Sequence, residues 1–128
     1  MAGKLAYRAG VALTVVPVLF LVFDSVIKFT GLPIVQQSMT ELGYPVEAAL
    51  GIGLLEIACL ALYLVPRTSV LGAVVLTGYL GGAIATHVRV GNPLFSHVLF
   101  PTYIAALLWG GLFLREQRLR VLLPLRAA

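Results

Sequence analysis

Residues 70–89 read VLGAVVLTGYLGGAIATHVR, and this stretch decides what kind of fold the chain can have. It starts as an apolar helix and carries glycines at 72, 78, 81 and 82. Gly78 and Gly82 stand four apart, as do Gly81 and Ala85, so one helical face has almost no side chains. In a bilayer such spacing lets another helix approach backbone to backbone. The stretch ends in Thr86, His87 and Arg89, groups that are costly in lipid unless they meet partners. The reading predicts a helix that packs centrally through Gly78, Gly81, Gly82 and Ala85, with any chemistry at its polar end.

Composition agrees with a membrane setting. The chain has 128 residues, 60% of them hydrophobic and 11% charged, against roughly 25% charged in an ordinary soluble domain. A formal net charge of +4 would suit nucleic acid only if the cations clustered with stacking aromatics. They stand at helix ends instead, as the positive-inside rule requires, so no nucleic-acid partner is expected. Cys59 is the single cysteine, which excludes an intrachain disulfide, a CxxC pair or a cysteine-rich metal cluster. In mid-helix it reads as a small core hydrophobe.

Working outward from the third span, Lys4 and Arg8 precede an apolar run that resembles a signal peptide without a small-x-small cleavage site. It is read as an uncleaved first span with a kink at Pro17. Gly31-Leu32-Pro33 breaks that helix, and PIVQQSMTEL at 33–42 is too short and polar to cross roughly 30 Å of hydrocarbon. Ile34, Val35, Met39 and Leu42 form an apolar stripe suited to a helix along the interface. Gly43-Tyr44-Pro45 opens the second span, Pro66-Arg67-Thr68 connects it to the third, and Gly91-Asn92-Pro93 ends the third. The basic tail REQRLRVLLPLR is expected on the membrane surface.

The expected fold is therefore all-α, a polytopic membrane protein forming a four-transmembrane-helix bundle in one domain, 1–128. Its spans fall at about 5–29, 46–64, 70–89 and 96–114, with the short interfacial helix between the first two. Lys4, Arg8, Arg67, Arg115, Arg118, Arg120 and Arg126 then share one side, and Lys28 and Arg89 the other. That bias puts both termini in the cytoplasm.

With this topology the ionisable groups gather in the outer half of the bundle. Glu56 sits deepest, roughly 15 Å from the outer face. A carboxylate there costs something like 3 kcal/mol unless it is neutral, paired or wet. It is either a structural glutamate locking helices together, or a proton carrier and ligand anchor. Asp24 and Lys28 are spaced for an i,i+4 ion pair; alternatively Asp24 turns inward to orient His87 or Arg89. Arg89 either snorkels to phosphate head groups or closes a pocket with its planar donor fork. His87, with His97 across the bundle, suits general acid/base work or hydrogen bonding to a quinone oxygen. Two histidines are a weak haem signature, and a metal site completed by a carboxylate has no better support. Tyr103 and Trp109 on the fourth span are packing or interface anchors, or ligand contacts. No Gly-rich phosphate loop, nucleophile elbow or HExxH occurs, which disfavours ATP-driven transport and soluble-type hydrolysis.

Several motifs carry a family resemblance: Phe23-Asp24-x-x-x-Lys28, Leu42-Gly43-Tyr44-Pro45, Pro66-Arg67-Thr68-x-x-Leu71-Gly72-Ala73, Leu76-Thr77-Gly78-Tyr79-Leu80-Gly81-Gly82-Ala83-x-Ala85-Thr86-His87-x-Arg89, and Trp109-x-Gly111-Leu112-x-Leu114-Arg115. Together they resemble the DoxX-like family of small four-helix bacterial membrane proteins. The resemblance implies that architecture in the bacterial inner membrane. It also implies kinship with membrane subunits tied to thiosulfate–quinone oxidoreduction and with members proposed to work beside thiol- and superoxide-handling partners. It carries over no catalytic residue.

Three functions stay open on these grounds. One is a redox-linked protein holding a quinone-like or other small lipophilic ligand, with Glu56, His87 and Asp24 in the chemistry. Arg89, Lys28, His97, Tyr103 and Trp109 would then contact the ligand. Such a protein needs a redox partner for electrons. Another is a non-catalytic scaffold or assembly subunit whose bare face makes a homo-oligomer. The last is a cofactor-free isomerase or hydrolase of a lipophilic substrate.

Overall fold

The computed structural model describes residues 2–126 and is helical throughout, with no strand among them. In chain order the helices are α1 (Ala2–Ile27), α2 (Pro33–Glu41), α3 (Ala48–Leu64), α4 (Ser69–Arg89), α5 (Phe100–Arg115) and α6 (Gln117–Leu122). A 3-10 turn, Pro66–Thr68, joins α3 to α4, and a π-helical turn, Leu94–Val98, leads into α5. Helix α1 continues through Pro17, whose ring is fully buried.

The four long helices form a closed ring in which α1 packs on α5, α5 on α4, α4 on α3 and α3 on α1. Their shared core is Leu21, Leu60, Tyr63, Leu76, Leu108 and Leu112 with their neighbours. Three helical stretches are long and apolar enough to cross a membrane: Gly3–Ile27, Pro66–Arg89 and Leu94–Arg115. Helix α3 has 17 residues, about 25 Å of rise, and is by length too short for the span expected at 46–64. Its outward face is nonetheless apolar, with Leu50, Leu54, Leu55 and Ile57 all exposed. A face of that kind in water would be a large unpartnered patch.

Glycine does bring helices together here, though not where the opening stretch suggested. A Cβ on Gly72 would collide with the Tyr63 backbone of α3. One on Gly10 would lie 2.7 Å from the Gly111 carbonyl oxygen, so α1 and α5 touch at bare backbone. By contrast Gly78, Gly81 and Gly82 have no atom within 4 Å of such a Cβ, and Ala85 is exposed. The expected packing through these four residues is thus not made within the chain. The reason is rotational: α4 turns Gly72, Ala73, Leu76 and Leu80 into the core, which leaves the other small residues facing out.

One end of the bundle is closed by α2. Gly31 (φ 66°) and Gly43 (φ 81°) take left-handed conformations at its two ends, which only glycine adopts at no steric cost. Val35 and Met39, two of the four residues of the expected apolar stripe, pack against Ala49, Ile27 and Ile52, while Ile34 stays exposed. At the opposite end the tail folds back onto the bundle. Leu119 joins the core, and Arg120 donates to the free carbonyls of Phe113 and Leu114 at 2.9 and 2.7 Å.

Candidate functional site

A cavity of about 990 Å³ opens between α1, α2, α3 and α4. Its walls are mainly apolar, including Phe23, Ile52, Leu55 and Val75, and its α4 side is floored by Gly78 and Gly82. The glycines that hold no helix therefore make room for this space. Seven polar side chains line it: Asp24 in α1 and Lys28 just after it, Ser38 in α2, Tyr44 in the turn after α2, and Tyr79, Thr86 and His87 in α4.

Behind one wall lies Glu56, with a side chain that is fully buried. Its Oε2 accepts from Lys28 Nζ at 3.0 Å and from the Tyr79 hydroxyl at 3.1 Å. Lys28 also pairs with Asp24 Oδ2 and donates to the Asp24 carbonyl at 3.2 Å. The lysine thus bridges two carboxylates, one buried and one 37% exposed. Glu56 Oε1 is buried and has no hydrogen-bond partner among the described residues. A buried acceptor left open is costly and rare. Local sequence explains the assembly: the i,i+4 spacing puts Lys28 over Asp24. Close packing of α1 on Gly53, whose Cβ would sit 3.1 Å from Lys28 Cβ, brings the ammonium down to Glu56.

A second polar group stands at the outer end of the same cavity. Thr86 donates to the Gly82 carbonyl at 2.8 Å, and Tyr44 meets Thr86 Oγ1 at 2.7 Å. The Asn92 amide nitrogen contacts His87 Nδ1 at 2.7 Å; since that amide donates, the imidazole proton belongs on Nε2.

A family model for the DoxX-like family matches residues 12–111, a range that contains every residue of the cavity wall. The chain belongs to the DoxX-like family. No curated protein matches it, and no solved structure does. As a DoxX-like protein with apolar helices it is a membrane protein.

Against this geometry the expected site residues of the DoxX-like chain divide sharply. Asp24, Lys28 and Glu56 come together, and His87 lines the same cavity. Asp24 does not turn to His87 or Arg89; the i,i+4 partner Lys28 takes it. His97 stands beside His87, ring centroids 5.8 Å apart, but bonds to Ser96 and stays out of the cavity wall. Among the described residues no cluster of three His, Cys, Asp or Glu could hold a metal. Arg89, the last residue of α4, is exposed and outside the wall.

Tyr103 donates to the Phe95 carbonyl at 3.0 Å and Trp109 to Thr77 Oγ1 at 2.7 Å. Both belong to α5, which contributes nothing to the cavity. The reading missed Tyr79, Tyr44 and the whole inner face of α2. Only Tyr79 left a trace, as a phenol in mid-span needing a partner.

Proposed function

We propose that this DoxX-like chain is a four-span protein of the bacterial inner membrane, termini in the cytoplasm, holding a small flat lipophilic molecule of quinone type. The observation that carries the reading is the cavity itself. At about 990 Å³ it has the size of a small-molecule pocket, mostly apolar with a few convergent polar groups. The apolar outer face of α3 supports a fourth span, and the cation bias across the chain supports cytoplasmic termini.

The polar groups suit a ligand that exchanges protons. Reducing a quinone to a quinol consumes two electrons and two protons. Asp24 and Glu56 are the groups placed to hold or release protons, Asp24 being the half-exposed one through which they would enter. His87 offers an Nε2–H donor on a ring that lines the cavity. Electrons would come from a separate redox partner, with the chain contributing binding and the proton half of the chemistry. Extraction of the protein in its native lipids, followed by mass spectrometry of retained small molecules, tests this. A quinone or quinol retained by the wild type and lost when the cavity is filled supports the reading; an empty protein in both cases refutes it.

A second reading rests on its own observation. The outward face of Gly81 and Ala85 is bare and uncovered, a surface suited to a second helix, as a scaffold or homo-oligomer would need. Gly81 is not part of the cavity wall whereas Gly82 is. Leucine at each position therefore separates the two: loss of assembly at 81 supports the scaffold, loss of ligand at 82 the pocket.

A further inference from the structure

Counting protons on the polar groups of the cavity shows what its ligand must bring. An ammonium has three N–H donors. Lys28 uses all of them, on Asp24 Oδ2, the Asp24 carbonyl and Glu56 Oε2. Tyr79 has one hydroxyl proton and gives it to Glu56 Oε2. The inner end of the cavity has no spare donor in this network. What the cavity wall has in excess is acceptors. Lys28 engages only Oδ2 of Asp24, and the Tyr79 oxygen keeps its lone pairs, while Glu56 Oε1 is open but buried behind the wall. Charge points the same way, since two carboxylates surround one ammonium.

A carbonyl oxygen brought here would set lone pair against lone pair beside a carboxylate. A hydroxyl would complete the network. We propose that the inner end of the cavity recognises a hydrogen-bond donor on its ligand, a phenolic or quinol hydroxyl, in preference to a carbonyl. This rests on the reading that the cavity binds a quinone-type molecule, and it names the reduced form as the one favoured. Asp24 makes the contact from the cavity wall, and Glu56 sits one side chain behind it.

The test is the affinity of the purified full chain in nanodiscs for duroquinol and for duroquinone, by anaerobic titration calorimetry. The quinol should bind about tenfold tighter or more, the worth of one hydrogen bond to a charged group. Asp24→Asn should erase or invert that preference. The amide oxygen keeps its place on Lys28, and the new N–H₂ replaces an acceptor by a donor at the cavity wall. Asp24 is half-exposed, so the variant should fold.

Equal affinities in the wild type, or tighter quinone binding, overturn the inference while leaving the pocket reading intact. So does a wild-type preference retained by Asp24→Asn. Failure of both molecules to bind sinks the inference and the pocket reading together.

Discussion

Replacing Lys28 by methionine should destabilise the protein far more than a surface charge would. The substitution keeps the apolar stem and removes the ammonium that bridges Asp24 and Glu56. Asp24, 37% exposed, can be hydrated in its place. Glu56, with no exposed side-chain surface, keeps only the Tyr79 hydroxyl. Removing one member of a buried pair costs about 3–5 kcal/mol; the exposed Asp24 arm adds little, which puts the loss near 3 kcal/mol.

That is roughly a hundredfold in the ratio of folded to unfolded protein. The double variant Lys28→Met/Glu56→Gln removes the stranded charge as well, so it should recover most of the loss, a coupling of about 2 kcal/mol. Unfolding in mixed micelles with increasing SDS, followed by helical circular dichroism, measures all three proteins. As a control, Arg118 is 96% exposed and 3.9 Å from Glu116, so Arg118→Ala should leave the midpoint where it was. If Lys28→Met unfolds with the wild type, or the double variant loses the sum of the single losses, the bridge is not what holds these helices.

Other expectations follow from the packing. Gly72→Val forces a side chain into the Tyr63 backbone and should cost about 2 kcal/mol or more by overpacking, whereas Gly78→Val, facing open space, should fold normally; melting temperatures decide. Tyr63→Phe removes the hydroxyl that donates to the Leu108 carbonyl at 2.6 Å and accepts from Arg115 at 3.1 Å, a loss of about 1–3 kcal/mol in a buried site, read by the same unfolding assay. Gly82→Leu fills the cavity and should abolish ligand retention without lowering stability, while Gly81→Leu should leave retention unchanged; co-purified ligand mass distinguishes them.

Much of the architecture could be read from hydropathy because each span is a nearly unbroken apolar run between Gly/Pro turns. The Asp24–Lys28 pair was readable as local i,i+4 geometry, and Glu56 stood out by its depth. What the sequence does not encode locally is how far each helix is rotated about its axis. The bare face of residues 78–85 therefore reads equally well as a seat for a neighbouring helix or for a second copy. In the fold the Gly72–Leu76–Leu80 stripe fills the core, and Gly78 and Gly82 open a cavity. The same ambiguity hides Tyr79, whose partner lies 23 residues away in sequence, and gives Tyr103 and Trp109 a place near the cavity that α5 does not have. Helix α2 is legible as a short helix between 33 and 42, but not as a wall, since that depends on how Gly31 and Gly43 aim it.

Cys59, the single cysteine of the chain, lines the cavity and so reports directly on whether anything occupies it. Its rate of alkylation by N-ethylmaleimide in membranes should fall about tenfold when duroquinol is present at ten times its Kd. An unchanged rate under saturating duroquinol and duroquinone alike would show that the cavity is not a binding site for either.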